Sequence, residues 1–354
     1  MAERQATYLA KLGHNVTVFT SGNKSSTSRK NGYKIIQVRS LNFIETRFGV
    51  PYPLISPLNI FKLNRLIKAC DLVHIHDVFY LSSHYAGIMA LFNKKPIYIT
   101  QHVDIVEHKN GFIIKIQKLV YHSLGKLLFL KSDKIVVYNS KVKKFLVSLG
   151  VDKNKILQTH NGIDTDYYSP VTTSEKLRLR KKYGLPPNMP IVLFVGRLVH
   201  KKGFDLVFNA KSKDYLTIIA GGGSTHLKDL NTDNVIFYGP ANQSEIVDLY
   251  RLSDIFVLPT KGEVFTLSMQ EAMACGLPVV VAKERAYDKY GIPKDCIAFT
   301  ERNADRIRSK TLDILLDKKL YKKMSHYSRT LSLELFSFQK NYPLELSIYG
   351  KAHD

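Results

Sequence analysis

The sequence has 354 residues, of which 45% are hydrophobic and 23% are charged, and its formal net charge is +22. This length and composition are typical of a globular protein with two domains, and they exclude a disordered chain. No apolar run approaches the roughly 20 residues that span a bilayer. Cys70, Cys275 and Cys296 match no metal-binding spacing, and a reducing cytoplasm suits them. We therefore expect a cytoplasmic protein.

The positive charge is concentrated in the first half of the chain. Residues 1–165 carry 24 Lys and Arg against nine Asp and Glu. This excess favours an anionic partner such as a membrane surface, a phosphorylated acceptor or nucleic acid. A lysine-rich genome would produce the same bias without any partner, so the charge alone does not decide between these alternatives.

Strands and helical segments alternate along the chain, which indicates parallel α/β sheets. The pattern predicts a helix at residues 3–11 that is ended by Gly13 and another at residues 141–149 that is ended by Gly150. In the first half, the predicted strands lie at residues 15–20, 33–38, 72–75, 96–100 and 133–139. In the second half, they lie at residues 191–195, 216–223, 235–239, 255–258 and 279–281.

Histidines follow two strands of the first half. The run V-H-I-H-D places His74 and His76 on one face, because strand residues two apart share a side. No third ligand is visible nearby, which disfavours a metal site. His102 directly follows the next strand, at the carboxyl end where open α/β sheets bind ligands. It is a candidate for ligand contact, although an isolated strand-end histidine is more often merely exposed.

Residues 113–131 show the clearest helical periodicity of the first half. Basic residues recur on one face, at Lys115, Lys118, His122 and Lys126. The predicted opposite face is apolar and consists of Ile113, Ile116, Val120, Leu124 and Leu127. Two interpretations stay open: the helix lies on an anionic membrane, or it packs on its sheet with a solvated lysine face.

The second half opens with a strand that leads into G-R-L-V-H-K-K-G. Gly196 frees the backbone at the strand end, Arg197 offers a planar fork of donors, and Lys202 brings a point charge before a helix that starts near Phe204. These are the features that phosphate recognition needs. As a bare pattern, a basic loop is usually only solvated.

The segment at residues 254–281 predicts a strand, a loop, a helix and a second strand. Its sequence is D-I-F-V-L-P-T-K-G-E-V-F-T-L-S-M-Q-E-A-M-A-C-G-L-P-V-V-V. Thr266 is a suitable N-cap for a helix through Ala274, and Gly276 with Pro278 stops that helix.

Two carboxylates lie eight positions apart in this segment, Glu263 on the loop and Glu271 in the second helical turn. The backbone N–H groups of Phe265, Thr266 and Leu267 lie at the helix N-terminus, which favours an anion such as a diphosphate. A carboxylate one turn further on can accept hydrogen bonds from the vicinal diol of a ribose. Together these features suggest a nucleotide. On spacing alone, a solvated loop glutamate and a helix-stabilising glutamate are the favoured explanation of the pattern.

The run E-V-F-T-L-S-M-Q-E-A-M-A-C-G-L-P-V-V resembles the E-x7-E signature of glycosyltransferase family 4, the group 1 retaining transferases. G-R-L-V-H-K-K-G is similar to the family's G-R-x-x-x-x-K-G. The resemblance implies an α/β GT-B fold with two Rossmann-like parallel-sheet domains facing a cleft. We expect these domains at residues 1–165 and 190–330, joined by a connection at 166–189 and followed by a helix at 331–354 that returns to the first domain.

The resemblance also implies roles for individual residues. His102 and Glu263 are the expected catalytic residues, in contact with the donor sugar, and Glu271 holds the ribose. The remaining expected donor-binding residues are Arg197, Lys202, Phe265, Thr266, Leu267 and Gly196. Because Arg197 and Lys202 would grip the diphosphate and supply positive charge, neither a metal nor another cofactor is implied. Asp104 follows His102 one residue later than the family pattern has it, so no role is assigned to it.

The implied reaction transfers a sugar, with retention of configuration, from a nucleoside-diphosphate sugar to a glycan or lipid-linked acceptor. An anionic membrane surface is a further expected partner, with the protein peripheral on the inner face, whereas nucleic acid is not expected. Two alternatives stay open: a nucleotide-sugar epimerase of the same fold, and a catalytically disabled protein that binds polyanions or membranes. The chain has no G-x-G-x-x-G, which disfavours a nicotinamide enzyme.

The start of the chain differs from the family pattern. Members begin with an apolar strand and a Gly-Gly loop before an E-R-x-A helix, whereas this chain starts at Met1-Ala2-Glu3-Arg4. Loss of a central strand would leave neighbouring backbone groups unpaired, each costing roughly 1–3 kcal/mol. We therefore expect a truncated or misannotated chain that is poorly stable and nearly inactive, with intact donor motifs in its second half.

Overall fold

The computed structural model describes residues 2–48, 52–106, 110–160, 162–223 and 233–349. The chain divides into two compact units, one of residues 1–160 and 343–354 and the other of residues 161–342. Among the described residues, none of the helices combines the length and the apolar character that crossing a membrane requires. The predicted domain boundaries at residues 165 and 190 stay an interpretation of the sequence.

The first unit contains two sheets. Its strands are β1 (Thr17–Gly22), β2 (Ser26–Lys30), β3 (Tyr33–Leu41), β4 (Leu54–Ile55), β5 (Val73–His76), β6 (Ile97–Gln101), β7 (Lys134–Val137) and β8 (Ile156–Gln158). One sheet has the order β1-β3-β2, with β4 pairing on β3, and the other has the parallel order β5-β6-β7-β8. Within the described ranges, β1 pairs only with β3 and β5 only with β6. The expectation of a missing strand stays a prediction.

The first unit also contains helices, several of which pack against its sheets. They are α1 (Ala2–Lys11), α2 (Phe43–Phe48), α3 (Asn59–Lys68), α4 (Leu81–Phe92), α5 (Gly111–His122), α6 (Leu124–Lys131) and α7 (Ser140–Ser148). Ile75 of β5, Ile99 of β6 and Ile135 of β7 are at most 3% exposed, and Leu128 and Phe129 of α6 pack in the same core. Burial on both faces explains why β6 and β7 are mostly apolar.

The prediction of one helix over residues 113–131 is wrong, because α5 and α6 meet at Ser123. The Ser123 hydroxyl donates to the Leu119 carbonyl oxygen at 2.7 Å, and the Ser123 backbone leaves the helical region with φ −109° and ψ −107°. A Cβ on Gly125 would lie 2.8 Å from the Val120 carbonyl oxygen, so the two helices approach where only glycine fits.

The predicted apolar face of this segment is also wrong in part. Ile116, Leu124 and Leu127 are each more than 40% exposed, as are Phe112 and Leu119. The buried positions of α5 are Ile113, Gln117 and Tyr121. The lysines of this segment therefore share the surface with apolar side chains.

In its described residues, the second unit forms one parallel sheet of six strands. They are β9 (Ile191–Val195), β10 (Leu216–Ala220), β11 (Val235–Gly239), β12 (Ile255–Leu258), β13 (Val279–Ala282) and β14 (Ala298–Thr300). Its helices are α8 (Thr173–Lys182), α9 (Phe204–Asn209), α10 (Gln243–Leu252), α11 (Leu267–Ala274), α12 (Ala304–Leu316), α13 (Lys318–Leu331) and α14 (Phe338–Leu346), the last of which continues into the first unit. The strands predicted at 191–195, 235–239 and 255–258 are confirmed to the residue.

Helix α8 lies within the segment predicted as a connection. Its Arg180 is only 5% exposed and pairs with Asp254 at 2.6 Å, while Lys176 reaches the other carboxylate oxygen of Asp254 at the same distance. Removing one partner of a buried ion pair strongly destabilises the folded protein, because the other charge stays buried without a partner. The helix is therefore fixed to the second unit.

The strand order of this sheet is β11-β10-β9-β12-β13-β14. From β9 the chain goes to β10 on one side and later to β12 on the other, so the order reverses between β9 and β12. Open parallel sheets bind ligands outside the carboxyl ends of their strands at such a reversal. A ligand site is therefore expected at the loops that follow β9 and β12.

Candidate active site

The loop after β9 is held against the end of β10 by close backbone contacts. The Gly196 N–H donates to the Ala220 carbonyl oxygen at 3.0 Å, and the Leu198 N–H donates to that of Gly222 at 2.9 Å. Gly221 has φ +146°, and a Cβ there would overlap the carbonyl oxygen of Gly196. Glycine is thus required where the two strand ends approach.

Lys202 and Glu263, 61 residues apart in sequence, meet between the loops after β9 and β12. Lys202 Nζ lies 2.5 Å from Glu263 Oε2. The Lys202 side chain is only 15% exposed, whereas that of Lys201 is 60% exposed and lies 3.4 Å from Glu263 Oε1. The two motifs predicted from sequence therefore join in one site, with Lys202 as the inner cation.

The charge of Glu263 is set by opposing effects. Burial alone would raise its pKa, but the hydrogen bond and charge of Lys202 lower it, and the Thr260 hydroxyl and Lys201 lower it further. The Thr260 hydroxyl donates to Glu263 Oε2 at 2.9 Å. The net effect is a pKa below its usual value, so Glu263 is a carboxylate at neutral pH.

Arg197, the other predicted cation, is exposed on the same loop. In the part of the chain that the structure describes, its guanidinium has no ion-pair partner. A planar fork of donors on the loop that also carries the partly buried Lys202 ammonium suits a diphosphate, whose several oxygens can be shared between two cations.

Two residues that sequence reasoning missed support these loops. The Arg302 guanidinium donates to three carbonyl oxygens, those of His200 at 2.9 Å, Lys201 at 3.0 Å and Pro259 at 2.5 Å. Glu284 Oε1 accepts the N–H of Gly262 at 2.7 Å. Glu284 follows β13 and Arg302 follows β14, so their places at the carboxyl ends of strands are the signal that could have indicated them.

Helix α11 begins as the sequence predicts. Its N-cap is Thr266, whose hydroxyl accepts the N–H of Met269 at 3.4 Å, and Leu267 is the first helical residue. Phe265 has φ +46°, a strained value for a residue with a bulky side chain. Its ring is 5% exposed and packs against Tyr287, Tyr290 and Phe336, which fixes the backbone at the helix start.

Glu271 lies in the second turn of α11 and is half-buried. The Tyr250 hydroxyl donates to Glu271 Oε2 at 3.2 Å. Tyr250 is fully buried, and burial followed by the charge of Glu271 raises its pKa well above the usual value. Tyr250 therefore stays a donor and orients the carboxylate, a contact that the sequence did not indicate.

His102 lies in the first unit, directly after β6. Its backbone N–H donates to Asp77 Oδ1 at 2.8 Å, and its Nε2 lies 3.3 Å from Nδ1 of His76. Burial lowers the pKa of His102, although the Asp77 charge opposes this shift. Asp104 instead pairs with Lys141 at 3.0 Å. In the described residues, no group of three or more His, Cys, Asp and Glu side chains is placed to hold a metal ion.

Comparisons with known proteins agree with these motifs. A family model described as Glycosyltransferase Family 4 matches residues 1–167, and one described as Glycosyl transferases group 1 matches residues 175–331. One relative is N,N'-diacetylbacillosaminyl-diphospho-undecaprenol alpha-1,3-N-acetylgalactosaminyltransferase of Campylobacter jejuni. It is 28% identical over 281 residues, which cover 76% of this chain and 74% of the relative.

Solved structures share the fold. A glycosyltransferase from Rickettsia africae is 21% identical with a TM-score of 0.73, over 99% of this chain and 94% of that one. HepE of Anabaena in complex with UDP and glucose is 14% identical with a TM-score of 0.70, over 95% and 100% of the two chains. The predicted GT-B fold is confirmed. The chain belongs to the group 1, family 4 glycosyltransferases.

Proposed function

We propose that this enzyme transfers a sugar from a nucleoside-diphosphate sugar, bound by the second unit, to a glycan or lipid-linked acceptor with retention of configuration. The observation that carries this proposal is the Lys202–Glu263 pair between the loops after β9 and β12. It puts a cation for phosphate and a carboxylate for sugar hydroxyls at the reversal of strand order.

The donor is held by charge and by backbone donors. Arg197 and Lys202 neutralise the diphosphate, and the N-terminal N–H groups at Phe265, Thr266 and Leu267 face its oxygens. Glu271, oriented by Tyr250, accepts hydrogen bonds from the ribose hydroxyls. Gly196 lets the backbone approach the phosphates.

Catalysis consists of stabilising the charge that develops on the leaving group. The bond between the anomeric carbon and the diphosphate oxygen breaks, and its electron pair leaves with the nucleoside diphosphate. The acceptor oxygen bonds to the same face of that carbon, and its proton passes to the departing diphosphate. Arg197 and Lys202 stabilise this diphosphate in the transition state. Glu263 and His102 contact hydroxyls of the transferred sugar.

The acceptor and the membrane surface are part of this proposal. The Campylobacter jejuni relative is named for an undecaprenol-linked acceptor, which supports a lipid-linked one. Helix α5 exposes Phe112 and Leu119 on the same helix as the exposed Lys115 and Lys118. Apolar and basic side chains on one surface suit an anionic membrane.

One experiment tests the donor and the stereochemistry. UDP-, GDP- and ADP-glucose are screened for thermal stabilisation, with UDP expected to be favoured because HepE binds it. The donor that binds is then incubated with membrane lipid extract, and NMR of the product gives the anomeric configuration. An α-linked product from an α-linked donor supports the proposal, and a β-linked product contradicts it. Free epimerised donor, which no comparison favours, would indicate an epimerase instead.

Salt-sensitive binding to polyanions without nucleotide affinity would indicate a disabled protein. The thermal screen separates this case from the proposal, because a disabled protein would gain no stability from any of the three nucleotide sugars.

A further inference from the structure

Three histidines form a continuous row inside the first unit, although the proposed function uses only His102. The rings of His74 and His76 on β5 stack with centroids 4.9 Å apart, and the His76 and His102 rings follow at 5.7 Å. β5 and β6 are paired strands. The V-H-I-H segment of β5 therefore lies beside His102, which follows β6. The row therefore leads from the buried sheet to the candidate catalytic histidine.

Gln5 of α1 determines which nitrogen of His76 carries hydrogen. The Gln5 amide nitrogen lies 3.1 Å from the Tyr349 hydroxyl and 3.4 Å from His74 Nδ1, so it faces two groups that can accept. Its oxygen Oε1 lies 2.8 Å from His76 Nε2. A carboxamide oxygen only accepts, so His76 donates from Nε2.

His76 is neutral in this environment. Burial, followed by the neighbouring imidazoles, holds its pKa well below the usual value. A neutral ring with hydrogen on Nε2 has a bare Nδ1, which lies 3.3 Å from Nε2 of His102. The only donor for this contact is then His102, through a hydrogen on its Nε2.

We propose that Gln5 and His76 are positioning residues that hold the His102 ring with its hydrogen on Nε2 and its Nδ1 as an acceptor for a hydroxyl of the donor sugar. The assignment deepens the proposed function and rests on the role of His102 in it. Asp77 fixes the backbone of His102, and the Tyr138 ring, 5.3 Å away, covers another side. With the opposite tautomer, His102 could not accept at Nδ1.

The direct test measures the ring ¹⁵N chemical shifts of His102 in histidine-labelled protein, assigned with His102→Gln. The expected result is an unprotonated Nδ1 and a protonated Nε2 at pH 7. Hydrogen on Nδ1 of His102 would overturn the proposal, because it would mean that the Gln5 amide and the His76 tautomer are reversed. This readout requires neither donor nor acceptor.

A pair of variants at His76 separates positioning from packing. Asparagine places an oxygen near the position of Nδ1, so His76→Asn is expected to keep the His102 tautomer, whereas His76→Leu is expected to give a mixture of tautomers. With UDP-glucose, we expect kcat/KM to fall about tenfold in His76→Leu and to change less than about threefold in His76→Asn, with UDP affinity unchanged in both. Equal losses in the two variants would show that His76 only fills space.

Controls separate this proposal from the proposed function. His84 is a further buried histidine of the first unit, outside the row, and His84→Phe should leave the His102 shifts unchanged. If His102→Ala keeps full transferase activity, the proposed role of His102 fails even where the tautomer is as expected. If the tautomer is reversed while His102→Ala is inactive, only the positioning proposal fails.

Discussion

Glu263 and Glu271 are chemically identical, yet the proposed function gives them different parts of the donor, in keeping with their different surroundings. Glu263 is held by Lys202 and Thr260 on a loop, whereas Glu271 accepts from Tyr250 on a helix. We expect Glu271→Ala to weaken UDP binding about tenfold, since hydrogen bonds to a charged group contribute about 1.5–3 kcal/mol. Glu263→Ala should leave UDP affinity nearly unchanged and lower turnover of UDP-glucose.

Isothermal titration with UDP, together with kcat measured on UDP-glucose, checks this division. Glu245→Ala is a suitable control because it removes another helical glutamate of the second unit, one that caps α10. Equal UDP affinity in wild type and Glu271→Ala would contradict the ribose assignment.

Glu345 predicts a dependence of stability on pH. Glu345 is 2% exposed, and this burial raises its pKa. The hydrogen bond from Tyr138 lowers the pKa by a smaller amount, and the resulting pKa is about 7. Between its ordinary pKa and about 7, the folded state therefore holds a proton that the unfolded state has lost. The free energy of unfolding falls as pH rises through this window, by up to about 3 kcal/mol.

Glu345→Gln keeps an acceptor for Tyr138 and removes the ionisable group, so the loss of stability with rising pH should disappear. Its melting temperature should exceed that of wild type by a margin that grows from pH 5 to pH 8. Thermal unfolding at both pH values checks it, with the exposed Glu334→Gln as control. A margin that does not change with pH would contradict the prediction.

Among the elements, the loops after β9 and β12 depend on Arg302, which donates to carbonyl oxygens of both. Arg302→Met keeps the apolar stem but removes these donors, so Lys202 and Glu263 lose their fixed positions. We expect turnover of UDP-glucose to fall about tenfold, since small misplacements of catalytic groups are costly. Arg306→Met on α12 is the control, and equal activity of both variants would argue against this support.

Helices α5 and α6 are predicted to bind an anionic membrane surface. Each surface lysine adds about 1 kcal/mol of attraction to an anionic membrane, and exposed Phe112 and Leu119 add apolar contact. Replacing Lys115, Lys118 and Lys126 by Gln should reduce co-sedimentation with phosphatidylglycerol vesicles, as should Phe112→Ser with Leu119→Ser. Lys126 is half-buried and should contribute least.

The matched control for the lysine variant neutralises three exposed lysines of α13, Lys318, Lys319 and Lys322. Vesicles of phosphatidylcholine provide the neutral surface for comparison. Co-sedimentation that is the same in wild type and in both α5–α6 variants would remove the membrane proposal.

Local signals made some elements predictable. The N-cap Thr266 and the stop at Gly276 define α11 within its own segment, so its bounds follow from the sequence. The break between α5 and α6 was missed because Ser123 is an ordinary helix residue until its hydroxyl bonds to the Leu119 carbonyl oxygen. An apolar periodicity continues through such a break and hides it.

At the scale of the whole molecule, the sequence motifs predicted the family and the GT-B fold. The proximity of Lys202 and Glu263 was also predictable, because the loops that carry them follow adjacent parallel strands, β9 and β12. The partners that orient the site were not predictable. In the second unit, Tyr250 contacts Glu271 and Arg302 contacts the loops after β9 and β12; in the first unit, Gln5 contacts His76. Each of these contacts joins distant parts of the chain, and no short sequence pattern records it. The residue types at the site follow from local sequence, whereas their orientation follows from the tertiary structure.

The central claim is that Arg197 and Lys202 hold the donor diphosphate and stabilise it as it leaves. The measurement is steady-state transfer from the nucleotide sugar that the thermal screen selects, by Arg197→Ala, Lys202→Ala and Lys201→Ala, with Lys201 as the exposed neighbour that matches Lys202 in charge. Removing a preorganised donor costs about 100- to 1000-fold in kcat. We expect losses of this size for Arg197→Ala and Lys202→Ala and less than about threefold for Lys201→Ala. Equal activity of the two lysine variants would contradict the account.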